Sequence, residues 1–513
     1  MARALRRILA WAVVVAGLGA AVLLATGCAL YSGARTSTVG ELGFENELAI
    51  PPLLEPHEED GQKVFELTLQ QGRAELLPGT RAETWGVNGS YLGPTLRAAR
   101  GDRVEVRVRN ELPEATTIHW HGMHLPAFAD GGPHQLIEPR ETWTPSWTIE
   151  QPAATLWYHP HPHGRTAEHV YRGVAGLFLL DDREADRLSL PREYGADDIP
   201  LVVQDKRLHD DGSLDFSQAW ISPTGRLGDT ILVNGTYDPY VEIHDQRVRF
   251  RLLNGSAARV YNIGFADDRQ FDLVATDGGL LEAPYRTARI QLSPGERAEI
   301  VASFRPRERV VLRSFEPELG TNFWEERFAG GDDSFDMLQV RAAAALDPSP
   351  DIAARLATRQ HMHADDAART RRFELDGRSI NDADFDIARI DQTVEAGSVE
   401  IWEVRNASGT PHNFHPHGVS FRLLADDVSE PPPALAGWKD TIYAPPGKTL
   451  RLLVRFGDYP DPHTAYMFHC HLLQHEDRGM MGQYIVVERG GASSAHRTGH
   501  GDLGEATPSK ESR

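Results

Sequence analysis

Three stretches of the chain alternate apolar and polar side chains almost residue by residue: 101–110, 247–254 and 397–406. Successive side chains on a strand face opposite ways, so each stretch predicts a half-buried strand. Each ends in asparagine, at Asn110, Asn254 and Asn406. Their spacing of roughly 150 residues predicts three copies of one β-domain.

The copies are alike further on, but not equally. Nine residues after Asn110 stands His119, opening His119-Trp120-His121-Gly122. Nine after Asn406 stands His415, opening His415-Pro416-His417-Gly418. Nine after Asn254 stands Ile263, with no histidine nearby. The ends of copies one and three also match. His159-Pro160-His161 precedes a run starting at Gly173, and His469-Cys470-His471 precedes one starting at Gly479. Pro160 occupies the place of Cys470, and Val174 that of Met480.

The remaining segments break the alternation. From about 341 to 371 the chain is rich in Ala, Arg and Asp, which predicts a partly helical connection. From about 490 onward it is Gly, Ser, Thr and charge, which predicts a disordered tail. At the other end, Arg3, Arg6 and Arg7 precede an apolar run from Ile8 to about Thr26, then Ala25-Thr26-Gly27-Cys28. This reads as a signal peptide, a lipoprotein signal with Cys28 as attachment point, or an uncleaved anchor. Arg6-Arg7 also fits twin-arginine export. On each reading the body lies outside the cytoplasm, periplasmic or extracellular. The expected division is 1–35 for the targeting segment, 60–183, 196–342 and 372–490 for the β-domains, 343–371 for the connection and 491–513 for the tail.

Composition narrows the choices. The 513 residues are 41% hydrophobic, enough for ordinary cores. The net charge of −21 argues against nucleic acid and against charge-driven binding to anionic membranes. Membrane contact is therefore expected only through the N-terminal segment. Only two cysteines occur, Cys28 and Cys470. With Cys28 in the targeting segment, Cys470 has no disulfide partner, and metal ligation is the leading reason to keep an exported thiol.

The histidines supply the rest of such a site. Four His-x-His pairs place eight imidazoles: His119, His121, His159, His161, His415, His417, His469 and His471. On strands each pair points one way. Eight imidazoles, half from copy one and half from copy three, suit three coppers at an interface between those domains. Cys470 points to the opposite face. With His412, His475 and an axial methionine it makes a blue-copper electron-transfer site. Met480 and Met481 compete for the axial role. His124 and His163 read as neighbouring or surface residues, and His361, Met362 and His363 as a solvated linker.

With these motifs the chain resembles the three-domain bacterial multicopper oxidases, among them copper-efflux oxidases, laccases and bilirubin oxidases. HWHG (119–122), WYHPHPHG (157–164), HNFHPHG (412–418) and HCHLLQHEDRGMMG (469–482) carry the resemblance, with DGGP (130–133) and GWKDT (437–441). It implies an all-β fold of three consecutive cupredoxin-like Greek-key sandwich or barrel domains. It implies four copper ions: a type 1 copper on His412, Cys470, His475 and Met480, a type 2 copper on His119 and His415, and a type 3 pair on the other six histidines. It also implies that Asp130 and Glu476 help deliver protons to reduced O2. The expected partners are O2 and a small reductant, phenolic, aromatic or Cu(I), acting on a monomer, with a role in copper tolerance. Copper-efflux oxidases carry a Met-rich insertion before the third domain. Here Met362 is the sole methionine between Arg341 and Pro411, which leaves laccase-like and cuprous oxidation both open. The alternative class is a copper-binding, electron-transfer or structural relative that does not reduce O2.

Overall fold

The three asparagine-terminated strands occupy equivalent places in three β-domains. Arg103–Asn110, Arg247–Asn254 and Val399–Asn406 each have a parallel neighbour on one side: Gln62–Ala74, Asp198–Lys206 and Arg369–Asp376. On the other side each has antiparallel partners, such as Arg297–Ser303 and Thr449–Arg455 in the second and third domains. A second sheet closes over each first sheet. The cores lie between the sheets, around Phe65, Trp120 and Phe178, then Phe250, Phe265 and Ile300, then Trp402, Phe414 and Phe468. The fold is all-β and cupredoxin-like. The computed structural model describes residues 2–217, 222–358, 362–424 and 431–490. The tail expected at 491–513 and His361 lie outside the described residues.

The repeated asparagine has a structural cause. Asn254 Nδ2 donates to the carbonyls of Arg259 and Leu292, and its Oδ1 accepts from Ser256 N–H. Asn110 does the same with Glu114, Ile137 and Leu112, and Asn406 with Thr410, Ala444 and Ser408. One fully buried side chain thus satisfies three backbone groups where the chain leaves the strand. Asn254→Ala should destabilise by about 2–4 kcal/mol, from three lost bonds and the buried groups they leave unpaired. Denaturant unfolding of the metal-free protein checks this.

Among the described residues four α-helices punctuate the sheets: α1 (Ala2–Gly33), α2 (Thr166–Arg172), α3 (Phe323–Phe328) and α4 (Leu473–Asp477). α2 follows His161 and α4 follows His471, at matching places in domains one and three. They are tied together, because the Asp477 carboxylate accepts from Thr166 and Ala167 N–H at the start of α2, 2.8 and 3.0 Å away.

Four details differ from the sequence expectations. The Ala- and Arg-rich stretch begins as strand, since Phe335–Asp347 runs past Arg341, and among its described residues the helical content is the short turn Ala364–Asp366. The third domain's first strand starts at Arg369. The residues before 60 are not idle, because Asn46–Glu47 adds a parallel strand to the second domain's sheet. Finally, Arg247–Asn254 is not half-exposed. Its polar face packs on domain one, with Arg251 bonded to Asp198 (2.7 and 2.8 Å), to Glu299 and to Thr155 Oγ1. Burial opposes ionisation of Glu299, but Arg249 and Arg251 hold its carboxyl down to about 2.

Candidate metal centre

The four His-x-His pairs meet where domains one and three abut. All eight rings are at most 1% exposed. His119–His121 is a strand, and His159 and His469 each end one, so His161, Cys470 and His471 lie just beyond strand ends. The alternation nevertheless persists: the His469 and His471 rings stack at 5.4 Å while Cys470 turns the other way.

The cluster has a pseudo-twofold pattern. His119 stacks on His417 at 3.7 Å and His121 on His415 at 3.8 Å, each pair crossing the interface. His119 Nδ1 meets the Asp130 carbonyl at 2.9 Å, and His415 Nδ1 the Asp440 carbonyl at 2.8 Å. Both rings therefore turn Nε2 inward, and both Nε2 atoms are buried without a hydrogen-bond partner. Elsewhere, ring nitrogens converge on one another. His161 Nε2 and His417 Nε2 each lie 3.1 Å from His469 Nε2, and His159 Nε2 is 3.4 Å from His471 Nε2. Inward-facing, desolvated imidazole nitrogens lacking protein partners fit metal ions. Burial pushes the His469 imidazolium down to about 3, and His121, His159, His161, His415, His417 and His471 well below their ordinary range, which favours the neutral, ligating form of these seven rings.

Two carboxylates lock this arrangement. Asp130 Oδ2 is 2.7 Å from His417 Nδ1, and Oδ1 is 3.5 Å from His119 Nδ1. Glu476 reaches His161 Nδ1 at 3.4 Å and His469 Nδ1 at 3.2 Å. Each carboxylate thus sits behind one ring from each domain and aims its nitrogen inward. Burial holds Glu476 well above the ordinary carboxylate range. Asp130→Asn should weaken copper retention by about 10–100-fold, the usual cost of losing a partner behind a ligand. Copper content after graded chelator exposure measures it.

On the far side of Cys470, Sγ lies 3.6 Å from His412 Nδ1 and 3.7 Å from His475 Nδ1. The three form one buried donor group. Met480 belongs to the same apolar cluster as Cys470, and its carbonyl accepts from Cys470 N–H at 3.1 Å. Met481 is instead paired with His469 along the closing strand. Burial raises the Cys470 thiol to about 12, so binding a metal there expels a proton. His475 Nε2 faces the Pro223 carbonyl of domain two at 2.9 Å.

Sequence reasoning missed three contributors. Asp440 is the counterpart of Asp130: its Oδ1 lies 3.1 Å from His121 Nε2, with Thr441 Oγ1 at 2.9 Å. Arg297 of domain two grips Asp440 at 2.6 and 2.7 Å and donates to the Thr155 carbonyl of domain one. Asn413 Oδ1 accepts from His471 N–H and lies 3.6 Å from Cys470 Sγ. Asp440 and Asn413 sit inside GWKDT and HNFHPHG, so the motifs pointed to them, whereas nothing near Arg297 did. His124 bonds Ser420 Oγ and exposed His163 meets Phe385 edge-on, so neither joins the cluster.

Paired-sheet cupredoxin domains, a lone buried thiol between two imidazoles and a shared histidine cluster define a multidomain copper protein of redox type. Sequence signatures described as multicopper oxidase match residues 68–185, 208–309 and 351–490. The multicopper oxidase mco of Staphylococcus aureus is 35% identical, over 86% of this chain and 93% of its own length. The cell division protein FtsP of Escherichia coli is 36% identical, over 90% and 97%. Among solved structures, the laccase-like multicopper oxidase CueO of Ochrobactrum sp. superposes with a TM-score of 0.79 at 35% identity, covering 86% of this chain and 100% of that one. The chain belongs to the multicopper oxidase family.

Proposed function

We propose that the protein is an exported oxidase that takes single electrons from small reductants and passes them to O2. One observation carries this: the eight cluster imidazoles and the His412, Cys470 and His475 group are buried and adjoin through the tripeptide 469–471. His412, Cys470, His475 and Met480 would hold a type 1 copper, His119 and His415 a type 2 copper, and His121, His159, His161, His417, His469 and His471 a type 3 pair. Bound copper supplies the redox chemistry, one-electron oxidation at the first centre and four-electron reduction of O2 to water at the cluster. The chain supplies position. Cys470 is covalently next to both His469 and His471, so the route between the two sets is peptide backbone and side chain. Asp130 and Glu476 already touch cluster imidazoles and are placed to pass on the protons that water formation consumes.

Phenols, aromatic amines and Cu(I) are the reductants to test. The absence of a methionine cluster between residues 341 and 411 gives no thioether funnel for Cu(I). The N-terminal segment supports export, with attachment through α1 itself or through lipid on Cys28, and the protein acts as a monomer. A second reading rests on the FtsP likeness, which equals that to the oxidases: a role in cell division without turnover. The intact donor sets favour the oxidase. O2 uptake by the copper-loaded protein with Cu(I) and with dimethoxyphenol decides. Uptake with either supports the oxidase; none with both copper signals present favours the second reading.

A further inference from the structure

The end of α1 is built into the body. Within the 20 residues Val14–Gly33 the most apolar stretch of 18 has a mean hydropathy of 2.0, and none of that stretch is buried by the protein. At about 1.5 Å per residue they are about 30 Å long, the thickness of a bilayer's hydrocarbon core. Tyr31, at their outer end, stacks on Trp324 of α3 at 5.8 Å and lies 6.2 Å from Phe323, with the Arg327 guanidinium 4.5 Å over its ring. Directly after the helix, Arg35 bonds Glu316 and the Asp332 carbonyl, Thr36 N–H bonds Asp333, and Gly40 N–H bonds Asp336. No slack separates the apolar span from domain two.

Attachment through lipid on Cys28 gives the same result. From Cys28 to Gly33 the helix advances only about 8 Å, and the next residues are the ones already pinned. The body therefore cannot swing freely about its tether. Phe323 is 74% exposed and Trp324 37%, beside a tyrosine at the depth where a bilayer's aromatic belt lies. An exposed aromatic pair at that level is explained by lipid headgroups and not by water.

We propose that α3, the 222–229 segment and the outer end of α1 form a face that rests against the bilayer. The 222–229 segment belongs to it because Ser222, Gly225, Arg226 and Asp229 line one wall of a cleft whose other wall is Thr26, Ala29 and Leu30. The cleft's lining carries Arg207, Arg226, Arg259 and Arg327 against Asp229 and Asp333, an excess of basic groups that suits the phosphates of lipid headgroups. Pro223, in the same segment, holds its carbonyl 2.9 Å from His475 Nε2. The edge of the thiolate centre is thus turned to the membrane, and reductants held at the bilayer have the short route to it. This orientation rests on the anchored reading of the N-terminal segment and not on the oxidase reading.

The test uses the full chain, purified from membranes and reconstituted in vesicles of phosphatidylethanolamine and phosphatidylglycerol. Bimane is attached to Phe323→Cys, to Asp229→Cys and, as a control on the outer sheet of domain one, to Glu66→Cys. All three sites are exposed, so folding is preserved. The signal of the unmutated chain is subtracted, and a lipid with a nitroxide headgroup is the quencher. The proposal expects severalfold stronger quenching at 323 and 229 than at 66. Equal quenching at all three, in protein that floats with the vesicles, overturns the orientation. Failure to float overturns the orientation and the anchor together. Neither result depends on copper turnover.

Discussion

Cys470→Ser is expected to abolish the intense visible absorption of the copper-loaded protein and to stop turnover, while the folded chain keeps its histidine cluster. The thiolate is the soft donor that makes a trigonal copper site blue, and a hydroxyl at neutral pH is not an equivalent ligand. The exchange is nearly isosteric, so its cost to folding is small compared with its effect on the centre. His412 and His475 remain 3.1 Å apart at Nδ1, and His469 and His471 are untouched. The chain then lacks the thiolate that stands between two cluster histidines in sequence, and a required member of a working unit is gone. Turnover should fall by at least about 10³-fold, the scale seen when one member of an obligatory catalytic set is removed. Visible spectra, copper content and O2 uptake on one sample check all three points. A variant that stays blue and active refutes the role assigned to Cys470.

Arg297→Met is expected to have the largest effect on stability. The guanidinium is fully buried and touches all three domains: it pairs with Asp440 of domain three, sits on its own strand in domain two and donates to Thr155 of domain one. Asp440 in turn faces His121, and Lys439 beside it pairs with Asp277 and Glu296 at 2.9 and 3.0 Å. Removing one partner of a buried pair leaves an uncompensated charge, which costs about 3–5 kcal/mol. Denaturant unfolding of the metal-free variant measures this. Copper retention should also fall, because Asp440 no longer holds His121 in place. Arg297→Lys should recover part of the stability, since charge is restored but not the two-pronged grip on Asp440.

These two residues mark how far the sequence could be read. Cys470 was legible because its meaning is local: two histidines flank it, and His475 and Met480 follow within ten residues. The His-x-His pairs were legible for the same reason, and matching copy one to copy three placed them at a shared interface. Arg297 was not legible. It looks like any arginine on a strand, and its partners lie 142 and 143 residues away. Arg249 and Arg251 mislead outright. Alternation says they face water, yet domain one covers that face and Asp198 and Glu299 neutralise them. Periodicity reports which side of a strand is polar, not whether another domain hides it. Domain two accordingly reaches the histidine cluster itself. Gly295 packs against His121 and His471, where an added Cβ would come within 3.2 Å of both rings.

The central claim is that one chain couples a single thiolate copper to a three-copper cluster. The direct measurement is an anaerobic reductive titration of the fully loaded protein, followed by admission of O2. The account predicts four coppers per chain, four electrons taken up, and complete reoxidation by one O2 with water as product. A chain that binds copper but takes up a single electron, or that remains reduced under O2, would contradict it.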